Sequence, residues 1–232
     1  MKIAGIQKLT LIDYPDKMAC TLFLHGCNFQ CGFCHNPELV LESPSEVLTE
    51  ISVLNFLERR KKYLDGVCIT GGEPLMTLDR EFLKKIKELG YTIKIDTNGS
   101  FPDRLKEVLD LIDYVAMDIK SSGEKYGWVT NSGIGMETIE ESIKLIVESG
   151  LDYEFRTTVV EGIHNSDEIR KIGEWLNGLV GKNPRRYVLQ GFKNFGKFID
   201  NKYKEQLSMR GDFVEKLKEV AKEFFEEVEV RV

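Results

Sequence analysis

Apolar runs of strand length alternate along the chain with longer stretches in which apolar residues recur at helical spacing. The runs that predict β-strands are residues 18–24, 66–70, 91–96, 114–118, 153–160, 186–190 and 228–232. The stretches that predict helices are residues 44–63, 81–89, 102–111, 139–149, 168–179 and 212–225. Ser43 or Ser45 is available to cap the first of these helices. This alternation predicts βα units and a parallel sheet.

The number of βα units predicts the fold class. Six units followed by a last strand are too few for a closed eight-unit barrel. We therefore expect an α/β fold in the form of a partial, open (β/α)6 barrel. No linker, internal repeat or low-complexity tract interrupts the pattern, so residues 1–232 are expected to form a single domain. Residues 121–135 are irregular, and a loop of that length in a compact domain is usually functional or mobile.

Composition and charge exclude several classes of protein. The chain is 42% hydrophobic and 30% charged, which is typical of soluble globular proteins. Its longest apolar runs are too short to cross a bilayer, and its start lacks the apolar core of a signal peptide. We expect a cytoplasmic protein without a membrane partner, in which thiols stay reduced. A net charge of −6 without a dense basic tract argues against nucleic acid as a partner.

Three cysteines follow the first predicted strand at the spacing Cys-x3-Cys-x2-Cys. They are Cys27, Cys31 and Cys34, and His35 and Asn36 come directly after them. Cysteine thiolates hold iron–sulfur clusters, and a four-iron cluster normally takes four of them. Three close donors without a clear fourth predict a cluster with one open iron, which can bind a substrate or cofactor.

Zinc and disulfides are the alternatives for these cysteines. Structural zinc takes four ligands, and the fourth would have to be His35, Cys20 or Cys68, none of which is at a usual zinc spacing. Disulfides are disfavoured in a chain with five cysteines and no export signal. Cys20 and Cys68 lie in apolar strands and are predicted to be core residues.

Polar motifs also follow the next predicted strands, and in parallel βα folds ligands bind at the carboxyl ends of the strands. The motifs are Gly71-Gly72-Glu73-Pro74, then Asp96-Thr97-Asn98-Gly99, and then Asp118 with Lys120. Asp118 and Lys120 share one face of their strand, either as part of a site or as a structural salt bridge.

Three further residues lie on or after later strands. Arg156 is a candidate partner for a carboxylate, but the sequence does not fix whether it points inward. His164 and Gln190 lie at strand ends, where each could face the site or belong to a loop or the core.

The cysteine spacing, with Phe33 before the last cysteine, resembles the signature of the radical S-adenosylmethionine (SAM) enzymes. Gly71-Gly72-Glu73-Pro74 resembles the Gly-Gly-Glu-Pro element of the same family. The resemblance implies a [4Fe-4S] cluster on the three cysteines and SAM on the open iron. The reduced cluster would cleave SAM to methionine and a 5′-deoxyadenosyl radical, which abstracts a hydrogen atom from the substrate. The implied cofactor-binding residues are Phe33, His35, Asn36, Gly71, Gly72, Glu73, Asp96, Thr97, Asn98, Asp118, Lys120 and Arg156.

Two motifs point to one group within that family. Cys34-His35-Asn36 resembles the glycyl-radical-enzyme activases, especially the anaerobic ribonucleoside-triphosphate reductase activating proteins. Residues 11–17 resemble that group's Asp-Tyr-Pro-Gly-Lys, with Asp16 in place of the glycine. The resemblance implies that Asp13 touches the substrate, although an Asp before Pro15 is also a common turn residue.

The same resemblance implies further cofactors and partners. It places Asp96, Thr97 and Asp118 near a monovalent cation and Lys120 beside SAM. The implied partners are a glycyl-radical enzyme, with anaerobic ribonucleotide reductase as the leading candidate, and ferredoxin or flavodoxin as electron donor.

Two other functions compete with an activase. One keeps the radical chemistry but acts on a small molecule, a peptide or a nucleoside, because the core motifs bind the cofactor rather than the substrate. The other is a non-catalytic electron carrier or metal-binding module. That alternative leaves Gly71-Gly72-Glu73-Pro74 and the strand-end acidic residues unexplained.

Overall fold

The computed structural model describes residues 1–43 and 46–232, and these contain one eight-stranded sheet. Its strands are β1 (Ile3–Thr10), β2 (Ala19–Leu24), β3 (Gly66–Gly71), β4 (Thr92–Thr97), β5 (Tyr114–Asp118), β6 (Asp152–Val159), β7 (Arg186–Gly191) and β8 (Glu227–Arg231). The spatial order follows the chain, so β1 and β8 are the two edges. β1 pairs antiparallel with β2, and every later pair is parallel. The sheet is not closed, which confirms the predicted open, partial barrel.

Helices connect the parallel strands. They are α1 (Pro37–Leu41), α2 (Glu50–Arg60), α3 (Arg80–Glu88), α4 (Pro102–Val108), α5 (Tyr126–Thr130), α6 (Met136–Glu148), α7 (Ser166–Val180) and α8 (Gly211–Ala221). Short 3-10 turns at Pro74–Met76, Leu109–Leu111 and Asn201–Lys204 complete the connections in the described residues. The central strands are buried along nearly their whole length because parallel strands are covered on both faces.

Several elements differ from the predicted ones. The short helices α1 and α5 have no predicted counterpart, and α5 lies within the stretch expected to be irregular. β1 was not predicted, because it is an edge strand with a half-exposed, weakly apolar sequence. The first long helix begins at Glu50 rather than at residue 44, and the Thr49 hydroxyl caps it by accepting a hydrogen bond from the Ser52 N–H at 3.1 Å. Ser43 therefore does not cap it, and Pro44 and Ser45 lie outside the described residues.

The irregular stretch at 121–135 packs against the cysteine loop. It contains α5, whose Tyr126 is fully buried and meets the Phe29 ring edge-on at 6.4 Å. The Gln30 N–H donates a hydrogen bond to the Thr130 carbonyl at 2.9 Å. This part of the chain therefore supports the loop that carries the three cysteines.

Among the described residues, no helix combines the length and the apolar character that a membrane span requires.

Candidate metal centre and cofactor pocket

The predicted strand-end motifs meet in one cavity of about 210 Å³. Cys27, Cys31 and Cys34 line it from one side. The other predicted residues in its wall are Phe33, His35, Asn36, Gly71, Gly72, Asp96, Thr97, Asn98, Asp118, Lys120 and Arg156. Asp13 and Glu73 were also predicted to be site residues, but they do not line this cavity.

The cysteine loop is held by hydrogen bonds to three distant segments. The Gly26 N–H donates to the Leu39 carbonyl at 2.8 Å, and the Gln30 N–H contacts α5 as described above. The Gly32 carbonyl accepts from the Asp200 N–H at 3.0 Å. A Cβ atom at Gly32 would lie 2.8 Å from the Tyr203 ring, so this part of the loop is closely packed. The protein itself therefore positions the three thiols.

The donor set fits an iron–sulfur cluster. All five cysteines are free, and the three in the loop offer only soft thiolate ligands. In the described residues, no three His, Cys, Asp or Glu side chains are grouped so that they could share one metal ion. The thiols instead surround a cavity, where each can bind a separate iron of a [4Fe-4S] cluster.

Burial keeps these thiols protonated in the absence of metal. It raises the pKa of Cys27 to about 12 and that of Cys31 to about 11, and it also raises the pKa of Cys34. The Lys120 ammonium acts in the opposite direction on all three pKa values. Thiolate ligands form with loss of a proton, so Lys120 is placed to favour the metal-bound state.

Gly71 and Gly72 allow two strand ends to touch. Gly71 has a φ of 123°, and a Cβ atom there would lie 2.3 Å from the Leu24 carbonyl oxygen. A Cβ atom at Gly72 would lie 2.0 Å from the carbonyl oxygen of Gly26. Backbone hydrogen bonds at 2.9 Å (Gly72 N–H to Leu24) and 2.7 Å (Glu73 N–H to Gly26) close this contact. Side chains at these positions would push β3 away from the cysteine loop.

Glu73 joins the ends of β3 and β4. Its side chain accepts hydrogen bonds from the Leu75 N–H at 3.1 Å, the Thr97 hydroxyl at 2.8 Å and the Asn98 N–H at 2.6 Å. Glu73 is 1% exposed, and burial raises its pKa to about 7. Its side chain is thus committed to the scaffold, and its contact with the methionyl group of SAM stays a prediction.

Asn98 connects β4 to the cysteine loop through two residues that the sequence did not single out. Its amide donates to the Asn28 side chain at 3.0 Å, and the Asn28 amide donates to the Ser100 hydroxyl at 2.9 Å. Asn28 directly follows Cys27. This polar cluster therefore fixes one end of the cysteine loop.

Four charged side chains form the inner wall of the cavity. Arg156 points inward and donates to Asp118 at 2.9 Å and to Asp96 at 3.1 Å. Lys120 donates to the second oxygen of Asp118, also at 2.9 Å. Burial acts to raise the pKa of Asp118, but Arg156 and Lys120 outweigh it and lower that pKa to about 2. Arg156 and Lys94 likewise lower the pKa of Asp96 against the effect of burial, so both carboxylates are ionised.

A second cavity of about 400 Å³ adjoins the first. The two share His35, Asp96, Arg156, Thr158 and Gln190 as lining residues. Asp13 lines only the second cavity, and its carboxylate accepts a hydrogen bond from the Thr21 hydroxyl at 2.6 Å. Ile12 and Phe195, which are 80% and 65% exposed, also line this cavity. The site is thus continuous with an opening that carries exposed apolar residues.

The structure shows where Gln190 and His164 lie, which the sequence left open. Gln190 lines both cavities. His164 is buried away from them, where its Nδ1 accepts from the Val160 N–H and its Nε2–H donates to the Lys120 carbonyl, each at 3.0 Å. Cys20 and Cys68 are fully buried, as predicted.

We expect His164 to make folding sensitive to acid. Burial lowers its pKa from 6.5 to about 4, so between these pH values the unfolded chain binds the proton more readily. The free energy of unfolding should fall by up to about 3 kcal/mol as the pH drops through this interval. Urea unfolding of cluster-free protein at pH 7 and pH 4.5 measures the loss. His164→Gln should lose less stability over the same interval, and an equal loss in both proteins would contradict this role.

Known proteins are similar to this chain in sequence and in fold. Residues 21–176 match the radical SAM superfamily. A Methanocaldococcus jannaschii protein provisionally named a glycyl-radical enzyme activating enzyme is 30% identical over 239 residues, covering 99% of this chain and 95% of that protein. The pyruvate formate-lyase-activating enzyme of Clostridium pasteurianum is 28% identical over 238 residues, covering 97% of this chain and 98% of the relative.

One solved structure with the same fold is Streptococcus suis SuiB bound to S-adenosylmethionine, with a TM-score of 0.67 and 14% identity. The match covers 90% of this chain and 51% of SuiB, so this chain spans about half of that protein. SuiB therefore shares the fold, while the family match and the two relatives confirm the predicted resemblance to the radical SAM enzymes and their activase group. The chain belongs to the radical SAM superfamily, in the group of the glycyl-radical enzyme activating enzymes.

Proposed function

We propose that this protein generates a glycyl radical on a partner enzyme. The observation that carries the proposal is the match to two activating enzymes over 95% and 98% of their lengths. When bound, the cluster supplies an electron and SAM supplies the 5′-deoxyadenosyl radical that removes a hydrogen atom from the glycine Cα. The chain's own part is to bind the cofactors, orient them and exclude water.

The lining of the first cavity supports specific roles. Cys27, Cys31 and Cys34 would hold the cluster. Lys120 and Arg156 are cationic groups in the wall, so they suit the carboxylate of the SAM methionyl group. The backbone of Gly71 and Gly72 lies in the same wall and would approach the cofactor closely.

The second cavity suits a loop of a folded partner. It adjoins the first cavity, and its lining includes the carboxylate of Asp13 and the exposed apolar side chains of Ile12 and Phe195. A glycine residue on a protein loop is small enough to reach the boundary between the two cavities, where Gln190 lines both.

Two partner enzymes are candidates. Cys34-His35-Asn36 and Asp13-Tyr14-Pro15 favour anaerobic ribonucleotide reductase, whereas the Clostridium relative favours an enzyme of the pyruvate formate-lyase type. Ferredoxin or flavodoxin is the proposed electron donor. We further propose that the whole chain forms one domain and works in the cytosol, where its five free thiols stay reduced.

The test is anaerobic incubation of the reconstituted protein with dithionite and SAM, alone or with either candidate partner. Chromatography measures 5′-deoxyadenosine, and electron paramagnetic resonance detects a glycyl radical. A doublet glycyl signal with one partner supports the proposal. Deoxyadenosine without that signal from either partner would redirect the search to a small molecule, peptide or nucleoside. A fully loaded cluster that yields no deoxyadenosine would overturn the proposal.

We expect Asp13→Asn to separate the partner from the cofactor. The amide keeps the shape of the side chain and can still accept from Thr21, but it removes the negative charge of residue 13 from the wall of the second cavity. Glycyl-radical yield should fall about tenfold, the effect of one lost charge-assisted hydrogen bond. Deoxyadenosine formation without partner should stay near the wild-type rate. Equal loss in both assays would assign Asp13 to the turn at Pro15 rather than to the partner.

A further inference from the structure

Both aspartates of the first cavity are paired with cationic side chains on each of their oxygens. One carboxylate oxygen of Asp96 accepts a hydrogen bond from the Lys94 ammonium, and the other accepts one from Arg156 at 3.1 Å. The two carboxylate oxygens of Asp118 accept hydrogen bonds from Arg156 and Lys120, each at 2.9 Å. Each of the four carboxylate oxygens therefore already has a cationic donor from the protein.

Thr97 is committed in the same way. Its hydroxyl donates to Glu73 at 2.8 Å and accepts from the Gly99 N–H at 3.1 Å. The three side chains that the resemblance places near a monovalent cation are thus all occupied by protein groups. Each carboxylate oxygen keeps a second lone pair, but a cation bound there would lie next to the ammonium or guanidinium group that already contacts that oxygen. The residues present therefore do not fit a monovalent cation.

The net charge of these side chains also disfavours a bound cation. Lys94, Arg156 and Lys120 contribute three positive charges, against two negative charges from Asp96 and Asp118. Glu73, which accepts the Thr97 hydroxyl, is only partly ionised near neutral pH because burial raises its pKa to about 7. A bound sodium or potassium ion would add a fourth positive charge where one is already in excess. Like charges at such short distances repel each other strongly in a poorly solvated site.

Glu154, the next carboxylate along the inner face of β6, does not change this balance. It lies 4.0 Å from Arg156 but is paired at 2.9 Å with Arg231, which binds both of its oxygens. Arg186 lies 3.9 Å from it on the other side. Glu154 therefore supplies no spare negative charge to the cavity.

We propose that this protein binds SAM without a monovalent cation, because Lys94 supplies from within the fold the charge that such an ion would bring. Lys94 is 1% exposed, its ammonium lies 3.8 Å from the Cys68 sulfur, and it sits 5.9 Å from the centre of the Tyr114 ring. It does not line the cavity, so it is a positioning residue that acts through Asp96 and Arg156. The proposal rests on SAM binding and not on the identity of the partner enzyme.

The test measures SAM affinity of the reconstituted holoprotein by anaerobic equilibrium dialysis in potassium, sodium or choline chloride at equal ionic strength. Wild-type affinity should agree within about twofold among the three salts, since an ion that binds no state shifts no equilibrium. In Lys94→Met the Asp96 oxygen is freed. SAM should then bind about tenfold more weakly in choline chloride, because the variant has lost a residue that orients the groups that contact SAM. Potassium or sodium should restore part of the affinity.

The control is Lys87→Met, which removes an ion pair with Asp113 of 2.9 Å outside the cavity. The SAM affinity of this variant should be the same in all three salts, as in the wild-type protein. Wild-type protein that binds SAM markedly more weakly in choline would overturn the proposal, as would Lys94→Met with unchanged affinity or without rescue by either ion. The wild-type comparison decides the matter if Lys94→Met does not fold. Because the readout is SAM binding, a negative result here is distinguishable from failure of glycyl-radical formation.

Discussion

Replacing Cys27, Cys31 or Cys34 with alanine should lower SAM cleavage by about 10³-fold or more, equivalent to about 4 kcal/mol of transition-state stabilisation. Each thiol lines the same cavity, and the described part of the chain brings no fourth cysteine into its wall. Loss of one ligand therefore cannot be made good by a neighbour. The measurements are iron content, the visible absorption of the reconstituted cluster, and deoxyadenosine produced with dithionite.

The other two cysteines provide the matched controls. Cys20 and Cys68 are fully buried in β2 and β3, outside the cavity lining. Cys20→Ala and Cys68→Ala should keep the iron and the cleavage activity, at the cost of some folding stability. Near-normal cleavage by any loop variant would refute the ligand assignment. Loss of iron from folded Cys68→Ala would make that residue a ligand.

Gly72→Ala should have the second largest effect, because the new methyl group meets backbone rather than a flexible side chain. Its Cβ atom would lie 2.0 Å from the Gly26 carbonyl oxygen and 2.5 Å from the Gly26 carbonyl carbon. Relief requires that the end of β3 and the start of the cysteine loop separate, which moves Cys27. Overpacking of this kind costs about 1–3 kcal/mol. We expect a lower melting temperature, and a loss of SAM affinity of about tenfold as the binding groups move.

Gly133→Ala is the control for this substitution. No atom lies within 4 Å of a Cβ atom at that position, and its φ is outside the left-handed region. Its free energy of unfolding should change by less than about 0.5 kcal/mol, as for most surface substitutions. If Gly72→Ala matched Gly133→Ala in melting temperature, iron content and SAM affinity, the contact with Gly26 would not be what makes glycine necessary.

The parallel strands could be predicted because burial on both faces makes their sequences apolar. β5 runs from Tyr114 to Asp118, which are the bounds predicted for it, and its first four residues are apolar and buried. β1 could not be predicted in the same way, since an edge strand is partly solvated and its sequence is mixed. The start of α2 depended on a capping hydroxyl, Thr49, that competes with several nearby serines in the sequence.

The composition of the cofactor cavity followed from topology. Motifs at the ends of neighbouring parallel strands must meet at one edge, so the cysteines, Gly71, Asp96 and Asp118 lie together. The inward direction of Arg156 depended on tertiary packing. The position of Lys94 is encoded in the sequence, because it alternates with Ile93 and Ile95 and therefore shares a face of β4 with Asp96.

The supports of the cysteine loop have a consequence for biosynthesis. The loop ends at Cys34, but the groups that hold it, Thr130 and Asp200, lie roughly 100 and 170 positions further along the chain, separations that slow native contact formation. A ribosome makes the ligands early and their anchors late. We therefore expect the loop to reach its native shape only when most of the polypeptide has emerged, and the metal to enter after translation rather than during it.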